Sequence, residues 1–414
     1  MQPTIASEAG LNSHLLLQEG GRGAASLAVS LAVSLPATND GYGSVRSVAI
    51  VGGGPVGMAL ALALHYHGIP AEIFEARTRA DVRQDTRVLA LSDGSRQILE
   101  WLGVWPQHAA TPIHRIHISH RGSLGRTRLS ASQMDVPALG WVLPAARLIT
   151  TLDAAVSAAG IVYHEQQKVG AGKTPTNTSS QTKVALTAWA EGAVNTADAT
   201  TNITAHDYAQ HAVLCQAHTA QPHNHMAWER FTDEGPVALL PLGKAYAIVL
   251  TCAAVDVARI AALTDADFLA LLQQRFGTRH RFISVTPRET FALDLRYRQQ
   301  PVGEREVWLG NAAQTLHPVA GQGFNLALRD VWELARTLHH APDPGSPDRL
   351  AAYAKSRQLD RRGAIGFTHA LINIFASTLP PVRHARGAGL LALDLLSPLK
   401  NFVARRMIFG ARAW

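Results

Sequence analysis

Only two cysteines, Cys215 and Cys252, occur among 414 residues, each inside its own apolar run. Neither has neighbours at metal-ligand spacing, so a pair of buried reduced thiols in a reducing cytoplasm is the expectation. No stretch reaches the ~20 apolar residues needed to span a bilayer. Ala24 to Ala37 is apolar but short, and its lead-in carries Glu8 and Glu19 where a secretory signal would be basic. Residues 1–44 are therefore expected to be a disordered extension. Basic runs interleaved with aromatics are missing too, so the formal charge of +7 predicts no nucleic-acid partner. That charge remains compatible with an acidic ligand or an anionic lipid surface. His114, His117 and His120 recur every three residues, but in a strand-like segment this spacing splits them across two faces, and no metal site is expected.

What is present is a globular composition, 47% hydrophobic and 17% charged, on a chain long enough for two interleaved lobes. Ser47 to Val51 is a short β-branched run. Glycines follow at once, then Met58 to His67, rich in Ala and Leu, and Gly68-Ile69-Pro70 ends that segment. Ala71 to Glu75 reads as a second strand, which completes a βαβ unit. Between the first strand and the helix lies Gly52-x-Gly54-x-x-Gly57. Gly52 permits the tight turn, Gly54 lets backbone approach a pyrophosphate, and Gly57 lets helix and sheet pack closely. Glu75 ends the second strand, where a carboxylate can accept hydrogen bonds from a ribose diol. Its charge disfavours a 2′-phosphate, which leaves FAD or NAD open.

Farther on, Asp93 to Leu102 is expected to be a helix capped by Ser92. Ile113 to Ser119 and Trp141 to Leu143 read as strands, and Arg147 to Ala159 as a helix stopped by Gly160. Gln166 to Gln181 is Gly-, Thr-, Ser- and Asn-rich and reads as a surface hairpin loop. Strands run from Tyr208 to Cys252 with turns at Gln221-Pro222, Gly235-Pro236 and Gly243. A helix over Asp265 to Phe276 and a strand pair to Arg298 follow. Val307 to Leu309 is a strand, and a second helix begins near Phe324. Between them, Gly310 to Asn325 is crowded with Gly, Asn and Gln, so a flat ligand could lie against its backbone.

The order of fingerprint, Thr86-Arg87-Val88-x-Ala90-Leu91-Ser92, Arg147 and Gly310 to Asn325 resembles the ubiquinone-biosynthesis hydroxylases, FAD-dependent monooxygenases of the para-hydroxybenzoate hydroxylase fold. Within them, Gly310-Asn311-Ala312-Ala313-Gln314-Thr315-Leu316-His317-Pro318 is most similar to the 2-polyprenyl-6-methoxyphenol hydroxylases; sister branches read Gly-Asp-Ala-Ala-His there. Trp228-Glu229-Arg230-Phe231-Thr232 and Gly235 to Pro241 resemble the same branch.

The resemblance implies an α/β fold in which a Rossmann-like FAD-binding domain (45–110, 143–207 and 303–378) is interleaved with a mostly antiparallel substrate sheet (111–142 and 208–302). Helices at 379–414 would close the chain. It implies FAD contacts from Gly52, Gly54, Gly57, Glu75, Arg87, Arg147, Gly310, Asn311, Pro318, Gly321, Gln322, Gly323 and Asn325. NAD(P)H would be the electron donor and O2 the co-substrate. The substrate would be a lipophilic polyprenyl phenol hydroxylated on its ring. Other ubiquinone-biosynthesis proteins and peripheral contact with the inner face of the cell membrane are the implied partners. Leu390 to Trp414 mixes leucines and Phe402 with Lys400, Arg405 and Arg406; it suits a membrane surface or packing on its own domain. One motif departs from the family. Its Ala-Asp-Gly corresponds here to Ala190-Glu191-Gly192, which puts contacts between flavin and electron donor in doubt. A hydroxylase acting at another ring carbon and a non-catalytic partner in a quinone-biosynthesis assembly are the rival expectations.

Overall fold

The computed structural model describes residues 46–122, 125–170, 173, 175, 183–194, 202–318, 321–376 and 380–410. The expected 1–44 extension and most of the Gln166–Gln181 loop lie outside these residues.

The β-branched run Arg46–Val51 forms an inner strand of a six-stranded sheet. From one edge the order is Val302–Gly303, Glu306–Trp308, Lys183–Trp189, Arg46–Val51, Ala71–Phe74 and Tyr163–His164. All neighbours are parallel except the first hairpin. Parallel strands are covered on both faces, and Val48 to Val51 are accordingly buried without alternation. The Pro55–Tyr66 helix is buried continuously from Gly57 to Leu64. It lies among the sheet, the Ala145–Ala158 helix and the Gly323–Leu338 helix. Each enclosed leucine contributes roughly 1.5–3 kcal/mol by leaving water.

A nine-stranded sheet forms the second layer system, built around the long strand Ile203–Thr219. Its pairs are antiparallel save one, in which Met226–Phe231 runs parallel to Arg115–His120. One face packs on the Asp265–Phe276 helix through Leu250, Phe268 and Phe276. The register sets the other face: Glu229 stands opposite Ile118 and Ala238, and Ala238 opposite Val249. A three-stranded sheet of Val88–Ser92, Gly140–Pro144 and Thr111–Ile113 completes the strands. The expected single strand Ile113 to Ser119 is two strands in two sheets. At His114 the backbone leaves the ladder: its N–H donates to the His225 carbonyl and its carbonyl accepts from Ala131.

Helix Pro380–Leu395 lies on the second sheet's edge, and helix Ser397–Phe409 packs on the Asp93–Trp101 and Ala131–Met134 helices. Thr127 Oγ1 donates to the Leu390 carbonyl at 2.7 Å, and the Arg128 N–H to Asp394 at 3.0 Å. Beneath the long Pro347–Ala376 helix is a buried ionic network. Arg357 bridges Asp330 (2.7 Å) and Asp360 (2.8 Å), Arg329 binds Asp360 (2.7 Å), and Gln314 joins Asp330 (2.9 Å) to Arg361 (2.8 Å).

Candidate active site

A strand that turns straight into a helix must place its glycines where side chains cannot go. Gly52 has φ +111°, and a Cβ there would meet the Ala190 carbonyl oxygen at 2.6 Å. A Cβ on Gly57 would strike the Gly52 carbonyl. Gly54 is different: nothing lies within 4 Å of a Cβ built on it, and it lines a large cavity. The open side of Gly54 is thus where a ligand would approach the first turn of the Pro55–Tyr66 helix. Pro55 occupies N1 without an N–H to leave unpaired, and no side chain caps the turn.

Glu75 is nearly enclosed and already hydrogen-bonded. Gly53 N–H donates to Oε2 at 2.8 Å, while Arg77 donates to Oε1 from its backbone (3.0 Å) and Nε (2.9 Å). Burial alone would raise this carboxyl; the Arg77 and Gly53 hydrogen bonds outweigh it and hold the group below its ordinary value. Tyr163 reinforces the turn by donating to the Gly53 carbonyl at 3.1 Å.

The second half of the cavity wall comes from the loop after Glu306–Trp308. Gly310–Ala312 is one 3-10 turn, and Gln314–Thr315 is a short strand on Arg296 and Tyr297. Asn311 lines the cavity and donates from Nδ2 to the Gly192 carbonyl at 3.2 Å. Ala190 is bound to the first strand, its N–H donating to Val51 at 2.7 Å. The Ala190-Glu191-Gly192 segment therefore sits between fingerprint and loop, at the cavity wall. Burial raises the Glu191 carboxyl and Glu75 adds to this, against the opposing pull of Arg298 and Lys168. The Gly323–Leu338 helix begins at the same wall with no side-chain cap.

Ten of the thirteen expected cofactor residues line this one cavity: Gly52, Gly54, Glu75, Arg87, Asn311, Pro318, Gly321, Gln322, Gly323 and Asn325. Gly57 acts behind the turn. Gly310, at φ +56°, keeps the loop close to Val56 and Ala327, which a methyl group would meet at 3.2 and 3.3 Å. Arg147 is not brought to this cavity; it is exposed in the first turn of its helix and faces a small cleft beside Gln216 and His218. Asn325 has both ends engaged, accepting from Ser92 and Ser95 and donating to Ala90 and Gly321. Arg87 is paired with Asp85, from Nε at 2.9 Å and from Nη2 at 2.6 Å. Sequence reasoning missed Arg77 and Tyr163. Arg77 was within reach, two residues past the strand-ending acid; Tyr163 had no local signal.

The cavity measures about 1210 Å3, above the roughly 300–1,000 Å3 of an ordinary small-molecule pocket. It runs from the glycine turn past the loop to the second sheet and the C-terminal helices. A family model described as an FAD binding domain matches residues 46–367. The chain belongs to this family. It is 30% identical to ubiquinone hydroxylase UbiL of Rhodospirillum rubrum over 382 residues, 87% of this chain and 89% of that protein. It is 28% identical to 3-demethoxyubiquinol 3-hydroxylase of Escherichia coli, over 86% of this chain and 96% of that one. Among solved structures, p-nitrophenol 4-monooxygenase PnpA of Pseudomonas putida DLL-E4 shares the fold, with TM-score 0.68 and 15% identity over 90% of this chain and all of that one.

The protein is an FAD-dependent monooxygenase, and the cradle fits that group. The open face at Gly54, the acid at Glu75 and the uncapped helix start at Gly323 suit a pyrophosphate, a ribose and an electron-rich ring in turn. Bound and reduced, FAD supplies dioxygen activation and transfer of one oxygen atom to an organic substrate. The chain must hold the ring system, present the substrate to it and keep bulk water out.

Proposed function

We propose that this monooxygenase hydroxylates the ring of a polyprenylated phenol in ubiquinone biosynthesis, with 2-polyprenyl-6-methoxyphenol as substrate and NAD(P)H as electron donor. The supporting observation is the cavity beyond the cofactor cradle. There its wall turns apolar, with Ile116, Leu129, Leu240, Phe291, Leu393 and Met407 facing inward. A flat phenol with a hydrocarbon tail matches such a wall, and the two relatives are named a ubiquinone hydroxylase and a 3-demethoxyubiquinol 3-hydroxylase.

The resemblance that points to the ring carbon rests on Asn311 and Gln314, where sister branches have Asp and His. Gln314 is 1% exposed, bonded into the ionic network and away from the cavity wall, so it has no contact with a substrate ring. A sister hydroxylation, at the position named in the Escherichia coli relative, is the second reading. Quinone intermediates extracted from a deletion strain separate the two. Build-up of 2-polyprenyl-6-methoxyphenol supports the first, and build-up of a demethoxyubiquinol supports the second.

The C-terminal helices extend the proposal to a membrane surface. Their inner residues, Leu390, Ala404 and Ile408, are buried, while Leu391, Leu395, Leu396, Leu399 and Phe402 are exposed. Leu393, Val403 and Met407 on the same helices line the cavity. No helix among the described residues is long and apolar enough to cross a membrane. An apolar rim continuous with an apolar cavity would let a lipid-borne phenol enter without crossing water.

A further inference from the structure

Glu229 is an acid in an otherwise apolar wall. It lies at the centre of the Met226–Phe231 strand, and strand alternation turns it to the cavity together with Ala227 and Phe231. Its partners across the sheet on that face are Ile118 and Ala238, and Val249 stands beyond Ala238. Such a position ordinarily carries a hydrophobic side chain, because a buried carboxyl without a partner is costly. The Glu229 carboxyl has no hydrogen bond or ion pair to any other described residue, and Glu229 lines the cavity.

The charged neighbours face elsewhere. Trp228 and Arg230 project from the opposite face, where His117 meets Arg279 at 3.1 Å and Arg126 and Arg128 stand across from Ser119 and His117. On the cavity side, Lys400 binds the Asp394 carbonyl at 3.3 Å. Glu75, Arg77, Asp81, Asp85, Arg87, Lys168 and Glu191 belong to the cofactor end. Burial is the sole cause of the shift at Glu229, and it pushes the carboxyl up to about 8. A carboxylate so placed is a stronger base than one in water, closer to a phenol near ~10.

We propose that Glu229 is a catalytic residue, the base that takes the proton from the substrate's phenol hydroxyl. The inference rests on the phenolic substrate proposed above. The O–H bond breaks, the proton goes to a Glu229 carboxylate oxygen, and its electron pair stays on the phenolate and spreads onto the ring. The ring carbon is then nucleophilic, and it takes one oxygen atom as the O–O bond of dioxygen breaks, the two electrons for this coming from the reduced flavin. The other oxygen leaves as water and takes up the ring hydrogen, released as a proton when aromaticity returns, while the Glu229 proton goes back to the original oxygen. Glu229 ends as it began.

The test compares wild type, Glu229→Gln and Glu229→Asp as FAD-loaded enzymes, with synthetic 2-farnesyl-6-methoxyphenol and its O-methyl ether as probes. In wild type, kcat/KM should rise with pH to a midpoint near 8. In Glu229→Gln the rise should move to about 10, where the phenol ionises unaided, with activity at pH 7.5 down roughly 10²–10⁴-fold. Glu229→Asp should recover part of that rate. Equilibrium titration should show wild type preferring the phenol over its ether, a preference lost in Glu229→Gln at unchanged FAD content. If Glu229→Gln keeps the wild-type pH profile and preference, the assignment is overturned while the substrate stands. If wild type itself neither binds nor hydroxylates the phenol, the substrate reading fails instead. Should Glu229→Gln not fold, the same profile and preference read on Glu229→Asp decide the matter.

Discussion

Gly54 and Gly57 stand three residues apart and would respond to one methyl group in different ways. At Gly57 the methyl strikes the Gly52 carbonyl, so helix and turn must separate. At Gly54 it enters open cavity, in the space assigned to the pyrophosphate. Gly57→Ala is therefore expected to lower the melting temperature and lose flavin together. Gly54→Ala should melt within a degree or two of wild type yet hold FAD at least tenfold more weakly. Thermal melts with flavin fluorescence read both, and equal behaviour of the two variants would contradict the division of roles. That the three glycines form a turn was legible from their spacing between a strand and a helix. That Glu75 is held by Arg77 and Gly53 was only half legible, since spacing locates a carboxylate but not its donors. Asn325 lines the cavity as expected of a cofactor residue, and its four hydrogen bonds also clamp the Val88–Ser92 strand and Ser95 to the loop.

Helix and strand boundaries came through where periodicity and caps were strong. Asp265–Phe276 was legible to the residue, because Thr264 caps one end and Gly277 follows the other. The break at His114 was not, since it depends on His225, far along the chain. Long-range register also hid the cavity role of Glu229. In sequence it is one letter of Trp228-Glu229-Arg230, and only alternation within a completed sheet shows which of the three faces inward. For the C-terminal helices, the sequence left membrane contact and self-packing open, and the helices have a face suited to each. If the outer face meets lipid, replacing Leu395, Leu399 and Phe402 by serine should leave FAD content unchanged and abolish flotation with anionic liposomes. A wild-type protein that does not float would sink the membrane proposal, whatever the variant does.

At the scale of the whole molecule, acid should act through groups the fold keeps neutral or keeps charged. Burial lowers His317 from 6.5 to about 4, and burial with the nearby Arg279 lowers His117 to about 4 as well. The unfolded chain binds their protons first, so stability falls as pH drops from 6.5 towards 4. Glu75 contributes below its ordinary 4.5: its folded value is lowered, so the stability present above 4.5 is lost as acid protonates it. Glu229, raised from 4.5 to about 8, acts in the opposite sense between pH 8 and 4.5, so the comparison of variants isolates the histidine. Urea midpoints should lose less between pH 6.5 and 4.5 in His317→Asn than in wild type, and equal losses would count against His317 being enclosed. The βαβ unit and the loop at Gly310 were visible separately in sequence; that they share a cavity with the second sheet required the whole fold. The most direct test of the central claim is oxygen-isotope labelling of the reaction. Under 18O2 with reductant, the FAD-loaded enzyme is predicted to place one 18O atom in a new ring hydroxyl of 2-farnesyl-6-methoxyphenol, read by mass spectrometry. A ring product labelled from water, or flavin oxidation with no labelled product, would contradict it.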